Sequence, residues 1–129
     1  MSAPFAYDYS VIRVVPRAER EEFVNAGVIL FCDACGFLGA RIGLDEKRLL
    51  ALWPDIDLGI VREHLEGFKR VCEGGASAGP IGLMTPRERF RWLVAPRSTI
   101  LQTSPPHAGL CEQPDDALER LHQQLVVAK

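Results

Sequence analysis

Four arginines lie in one short segment, residues 85–102 (TPRERFRWLVAPRSTILQ), together with an aromatic pair, two prolines and several hydroxyl side chains. We refer to these residues as the arginine segment. The whole chain has a formal net charge of -2, so this local positive charge is not part of a general excess. Guanidinium groups bind carboxylates and phosphates through paired hydrogen bonds. The arginines therefore either bind an anionic ligand or partner, or pair with acidic residues of the fold. The four are Arg87, Arg89, Arg91 and Arg97.

The second of these alternatives is the ordinary one for surface arginines. On a helix that begins near residue 86, Arg87 and Arg91 lie four residues apart and share a face, whereas Arg89 lies on a different flank. Solvated arginines, or arginines paired with Glu88 and with the acidic run 19–22, would explain the segment without any ligand. Both alternatives stay open at the level of the sequence.

His107 is the histidine whose position is best suited to chemistry, because it follows the proline-restricted loop 104–106. A histidine held in such a loop could act as a general base or donate a hydrogen bond to an anion. In that arrangement Arg91, Arg97 and Ser98 would hold the anion. A loop histidine that hydrogen-bonds to nearby backbone is the favoured alternative.

The turn Cys32-Asp-Ala-Cys35 could present two thiolates to one zinc ion. A structural zinc site usually takes its ligands from two closely spaced pairs, and His107, Cys111 and Cys72 form no regular second pair. We therefore expect ordinary thiols and no metal site. A thioredoxin-like role would need the first cysteine at a helix N-terminus, whereas this motif lies between predicted strands. No nucleophile elbow, Walker loop or dinucleotide fingerprint is present, so no cofactor is expected.

An asparagine and a glycine interrupt the otherwise apolar stretch EFVNAGVIL. Asn25 and Gly27 inside a strand indicate a bulge or a close approach of two backbones. Arg13, Arg17 and Arg20 flank this region. They would extend a positive surface if the strands bring them near the arginine segment.

Alternation of apolar residues and turn signals predicts five strands, over residues 5–15, 24–31, 37–42, 98–103 and 108–112. Helical periodicity and capping residues predict four helices, from Asp45 to Leu52, from Asp55 or Asp57 to about Cys72, from Pro86 to about Leu93, and from Pro114 and Asp115 onward. The second helix has an apolar stripe that we expect to cover one face of the sheet: Leu58, Val61, Leu65, Phe68 and Cys72. The stretch 74–82 predicts a flexible surface loop.

The order of these elements predicts the fold class. Strands come first and helices are grouped after them, which favours α+β architecture over alternating α/β. We expect a single domain over residues 1–129, with an antiparallel sheet of about four to five strands covered by about three to four helices.

The composition of the chain argues against some classes of function, such as nucleic-acid binding and membrane insertion. Hydrophobic residues make up 47% of the 129 residues and charged residues 25%, as in an ordinary globular domain. The pI near 5.9 argues against nucleic-acid binding through a broad basic face. No apolar run approaches the roughly 20 residues of a membrane helix, and no secretion signal precedes the first strand. We therefore expect a cytoplasmic protein with reduced thiols and no membrane contact.

Two blocks of the sequence, YDYSVIRVVPRAEREEFVNAGVILF and RFRWLVAPRSTILQTSPPHAGL, resemble the bacterial family named domain of unknown function 3037. The resemblance covers nearly the whole chain. It implies a small bacterial protein without an assigned reaction, from a family associated with genes for HipA-type kinases in toxin–antitoxin-like pairs. The positions that the resemblance singles out are Arg13, Glu22, Asn25, Gly27, Arg91, Trp92, Arg97, Ser98, His107 and Gly109.

Two hypotheses of different classes follow. The first is a non-enzymatic interaction module that binds a protein partner, such as a HipA-type kinase, through Trp92, Arg97 and nearby loops. The second is a small enzyme or ligand-binding domain for a phosphorylated or nucleotide-like anion held by residues 87–102. Nucleic-acid binding with Phe90 and Trp92 as stacking platforms is disfavoured by the acidic pI. The oligomeric state is open, with a homo-oligomer among the alternatives.

Overall fold

A computed structural model describes residues 4–127 and contains one antiparallel sheet of five strands. Strand β1 lies between β2 on one side and both β4 and β5 on the other, and β3 forms the opposite edge next to β2. The sheet and the helices that cover it confirm the predicted α+β class. The strands are β1 (Phe5–Val14), β2 (Val24–Cys32), β3 (Phe37–Ile42), β4 (Leu101–Thr103) and β5 (His107–Cys111).

β4 and β5 together form the edge of the sheet next to β1, and two prolines separate them. β4 pairs with the end of β1 and β5 with its beginning. Pro105 and Pro106 have no N–H to donate to a ladder, and Ser104 bridges the break instead. The Ser104 N–H donates to the Val11 carbonyl at 2.9 Å, and the Val11 N–H donates to the Ser104 Oγ at 2.8 Å. The buried backbone of β1 is thereby satisfied where the strand pairing is interrupted.

The predicted fourth strand, residues 98–103, is too long, because only 101–103 pair with β1. The residues before it form a local loop in which the Thr99 hydroxyl donates to the Leu101 carbonyl at 2.8 Å. A short side chain that bonds to nearby backbone competes with strand pairing. The other four predicted strands are confirmed to within one residue at each end.

The helices are α1 (Glu46–Leu52), α2 (Leu58–Glu73), α3 (Pro86–Val94) and α4 (Pro114–Leu125). Asp45 and Asp57 accept hydrogen bonds from the first turns of α1 and α2, and Thr85 forms the predicted capping box with Glu88. Short 3-10 helices cover residues 18–20, 33–35 and 76–83. Within residues 4–127, none of the helices is long and apolar enough to cross a membrane.

The predicted flexible loop over residues 74–82 is wrong in part. Residues 76–83 form 3-10 turns with a kink at Gly79, where φ is 74°. Ala78 and Ile81 pack against the main hydrophobic cluster, and Gly82 is buried. Burial of these two apolar side chains holds the segment against α2 although its sequence has no helical periodicity.

The sheet lies between two helical layers. On one side α1, α2 and α3 cover the larger core, which includes Ile12, Ile29 and Leu93. On the other side α4 packs on β2 and β3 over a smaller core around Val28 and Leu118. The predicted stripe of α2 is confirmed, because four of its five residues are buried and Leu58 is partly buried.

Asn25 and Gly27 mark the predicted irregularity of β2. The β1–β2 register shifts between Ile12 and Arg13, so that Ile12 lies opposite Gly27 and Arg13 lies opposite Asn25. A Cβ at Gly27 would lie 2.8 Å from the Arg41 carbonyl oxygen. Both parts of the prediction are confirmed: a bulge is present, and a second backbone approaches the glycine closely.

Candidate functional site

The first two arginines of the arginine segment are bound within the fold. Arg87 pairs with Asp33 at the surface, where both side chains are largely exposed. Arg89 is buried and donates to the Met84 carbonyl at 3.2 Å, as well as to two carbonyls at the end of α2. Neither arginine pairs with the expected acidic run 19–22. Within that run Glu19 pairs with Arg17 instead.

Arg97 has a different environment. Its guanidinium carbon lies 4.8 Å from the centroid of the Trp92 ring and 5.0 Å from that of Phe68. Its Nη2 donates to the Trp92 carbonyl and its Nε to the Ala95 carbonyl at 3.4 Å. Within residues 4–127 no carboxylate lies within salt-bridge distance of Arg97. Partial burial lowers the pKa of Arg97 from its usual value, although an arginine stays charged at neutral pH.

Arg97 and Trp92 line a groove of about 690 Å³ between α2, α3 and the 3-10 turns. We refer to it as the α2–α3 groove. Phe68, Val71 and Ile81 contribute apolar surface to its wall. The ionisable residues of the lining are His64, Arg70 and Arg97, and no carboxylate belongs to it. The groove therefore combines aromatic and apolar surface with positive charge, the chemistry that suits an anionic ligand with an apolar part.

A second hollow of about 400 Å³ lies on the other side of Arg97, lined by Val94, Pro96 and residues 102–106. Arg97 belongs to the walls of both hollows. Pro96 also lines both, so the two hollows share the short segment that follows α3.

The structure brings only part of the predicted anion site together. Trp92 and Arg97 line the α2–α3 groove, whereas Arg91 and Ser98 are exposed and outside its lining. Thr99, the neighbour of Ser98, lines it instead. The predicted anion set thus contributes one guanidinium to the groove.

His107 lies on the opposite face of the sheet from the groove. It is opposite Tyr9 in the β1–β5 register, and the two rings are 5.3 Å apart. Tyr9 packs against the smaller core on the α4 side, whereas Phe68 beneath Arg97 belongs to the larger core. His107 and Arg97 therefore do not face one reacting group in this structure.

Arg13 and Asn25 also lie on the α4 side. The Arg13 guanidinium lies 4.2 Å from the centroid of the Phe23 ring, and the Asn25 Nδ2 donates to the Leu125 carbonyl at 3.0 Å. Arg17 and Arg20, which flank them in sequence, pair with Glu19 and Glu22. Neighbouring carboxylates therefore offset the charges of Arg17 and Arg20.

Two positions that the family resemblance singles out have structural roles. A Cβ at Gly109 would lie 2.4 Å from the Tyr7 ring, which crosses β5 at this point. The Arg120 side chain donates to the Tyr7 hydroxyl at 3.2 Å and holds that ring in place. Gly27, as described above, allows the approach of the Arg41 backbone.

The two cysteines of the predicted turn are free thiols that differ in exposure. Cys32 is buried and Cys35 is exposed. A hydrogen bond with Cys32 is the main cause that raises the pKa of Cys35 to about 11. Among the described residues, no group of three or more histidine, cysteine and acidic side chains could hold a metal ion.

The α2 wall of the groove, with Phe68, Arg70 and Gly67, was not predicted from the sequence. The apolar stripe of α2 predicts Phe68 as a core residue, and Arg70 lies on the exposed flank of the same helix. One signal could have indicated this wall: Gly67 lies in the interior of an amphipathic helix.

Comparison with known proteins identifies a family. The family model described as "Protein of unknown function (DUF3037)" matches residues 9–126, nearly the whole chain. No curated protein and no solved structure matches the chain.

Proposed function

Because the chain belongs to the DUF3037 family, whose description names no activity, we propose its function from the site: it is a non-enzymatic accessory module that binds a protein partner through the α2–α3 groove. The observation behind this proposal is the composition of the groove wall. Trp92 and Phe68 supply aromatic surface, and the charged side chains of the wall, Arg70 and Arg97, are both cationic.

The state of Arg97 in the free chain supports a binding role. Tryptophan and arginine are the residue types that contribute most to binding energy at protein interfaces. The guanidinium of Arg97 is already held by Trp92 and Phe68 and has lost part of its hydration. A partner carboxylate would therefore meet an arginine whose orientation is largely fixed, which reduces the entropy lost on binding.

The absence of a catalytic set in the groove supports binding rather than catalysis. His64 is the one histidine among the groove residues, and its side chain is exposed on α2. His107, the acid–base candidate from the sequence, faces the other side of the sheet. The resemblance noted in the sequence supplies the candidate partner, a HipA-type kinase.

A small anionic ligand is the second candidate, and the size of the groove favours it. Small-molecule sites have volumes of about 300–1,000 Å³, and the groove has about 690 Å³. Ser77 and Thr99 also belong to the lining, and they could hydrogen-bond a phosphorylated or nucleotide-like ligand together with Arg97. A thermal-shift screen tests this alternative, because a ligand at 100 times its dissociation constant adds about 2.7 kcal/mol of stability.

The proposal is tested by affinity purification of the tagged protein from its host, followed by mass spectrometry and by reconstitution with the purified partner. We expect a stoichiometric partner with the wild type and its loss with Arg97→Ala. Arg91→Ala is the matched control, since it removes the same charge from the same segment outside the groove. Equal capture by wild type and Arg97→Ala, or no partner at all, would contradict the proposal.

A further inference from the structure

Neither the backbone conformation nor the packing of the free protein requires a glycine at position 67. It lies in the interior of α2, where glycine is less favourable than alanine because it loses more backbone entropy on folding. A Cβ at this position would have no neighbour within 4 Å. Gly67 also lines the α2–α3 groove. The unfavourable residue therefore lies in open space, on the wall of the candidate binding site.

At each of the other ten glycines of the chain, the structure shows why a residue with a side chain would be unfavourable. Three adopt positive φ values, which L side chains rarely tolerate, in open space: Gly36, Gly75 and Gly79. For the remaining seven a Cβ would come within 3.2 Å of another atom: Gly27, Gly39, Gly43, Gly59, Gly74, Gly82 and Gly109. Gly67 alone combines a helical backbone with empty space.

We propose that Gly67 is the point where the main chain of a partner crosses α2, and that this partner segment is an extended acidic chain. This inference rests on the proposed function. A glycine on a helix face lets a second backbone approach more closely than any other residue does. The empty space above Gly67 is then filled in the complex.

The acidic character follows from the charges on the wall. Arg70 is three residues after Gly67 on α2, and Arg97 lies across the groove. Since the lining has no carboxylate, a segment with acidic side chains would meet positive charge on both sides of its backbone. An extended chain, rather than a compact ligand, fits two hollows that meet at Arg97.

The inference is tested with a hexapeptide of alternating Glu and Leu, blocked at both ends, and with its Lys–Leu counterpart. Trp92 fluorescence is the readout, in a Trp53→Phe background that leaves Trp92 as the single tryptophan. We expect saturable binding of the acidic peptide and none of the basic one. Gly67→Ala should raise the Tm by about 3 °C or more and weaken peptide binding at least tenfold.

Gly59→Ala is the matched control, because it adds the same methyl group to the first turn of α2, outside the groove. Its peptide affinity should stay within twofold of the wild type. Unchanged affinity of Gly67→Ala, a lower Tm of that variant, or absence of acidic-peptide binding would each overturn the inference. The proposed function would survive these outcomes if the purified partner still requires Arg97, so the two failures are distinguishable.

Discussion

The guanidinium of Arg89 occupies the space that a side chain at Gly74 would need, since a Cβ on Gly74 would lie 2.6 Å from Arg89 Nη1. Gly74 ends α2 with a φ of 78°. The same Nη1 donates to the carbonyls of Val71 and Cys72 at 2.9 and 2.8 Å. Arg89 of α3 thus closes the C-terminus of α2 and joins the two helices that form the groove.

Arg89→Leu should destabilise the fold strongly. It leaves two buried carbonyls at the end of α2 without their charged donor, and each hydrogen bond to a charged group contributes about 1.5–3 kcal/mol. We expect the free energy of unfolding in urea to fall by about 3 kcal/mol. Arg87→Leu is the control: it breaks an exposed pair with Asp33, and such pairs contribute at most about 1 kcal/mol. Similar losses for the two variants would contradict the assigned role of Arg89.

Ser104→Ala and Ser10→Ala should have different effects on the free energy of unfolding, although both serines are buried. The Ser104 Oγ accepts the Val11 N–H, so its removal leaves a buried donor unpaired at a cost of about 1–3 kcal/mol. The Ser10 Oγ has no partner among the described residues, so its removal should be neutral or stabilising. Urea unfolding of both variants measures the difference. If Ser10→Ala lost as much stability as Ser104→Ala, the assigned role of the Ser104 hydroxyl between β4 and β5 would be contradicted.

Most of the fold could be predicted because its signals are local. The cap residues Asp45, Asp57 and Thr85 precede helices that begin where predicted. The exceptions depend on tertiary contacts. The turns of residues 76–83 form because Ala78 and Ile81 pack against the core. The glycine-rich sequence of this segment does not indicate that contact.

The site could be predicted only in part, because the arginines of one segment differ in partners that are distant in sequence. Arg87 pairs with Asp33, 54 residues away, and Arg89 reaches carbonyls 17 and 18 residues away. Arg97 is distinguished by Phe68, on another helix. Spacing within the segment carries no information about such neighbours, so the sequence could not separate Arg97 from Arg91.

Arg97 and Trp92 should show measurable coupling in the free protein. The guanidinium lies 4.8 Å from the ring centroid, and a cation–π contact at a partly exposed site contributes about 0.5–1 kcal/mol. A double-mutant cycle of Arg97→Ala and Trp92→Ala in urea unfolding measures this coupling. Arg97→Ala alone should cost only about 1 kcal/mol and leave the chain folded. Additive losses would show that the two side chains are stacked without stabilising each other.

Alkaline pH should destabilise the protein through Cys72, which lies at the end of α2 beside Arg89. Burial raises the pKa of this thiol to about 12, from 9.0 without the fold, and the Arg89 charge offsets part of the effect. The unfolded chain therefore loses this proton first. The stability from the neutral thiol is complete below pH 9 and is lost as pH rises from about 9 to about 12.

Cys72→Ala should remove this contribution to the pH dependence. One proton difference between the folded and unfolded states corresponds to about 1.4 kcal/mol per pH unit, so the wild type should lose stability above pH 9 more steeply than the variant. Val71→Ala is the matched control, because it truncates a neighbouring buried side chain that does not titrate. It should lower stability at every pH and keep the wild-type slope. Unfolding curves of Cys72→Ala that stay parallel to those of the wild type up to pH 11 would contradict the assignment.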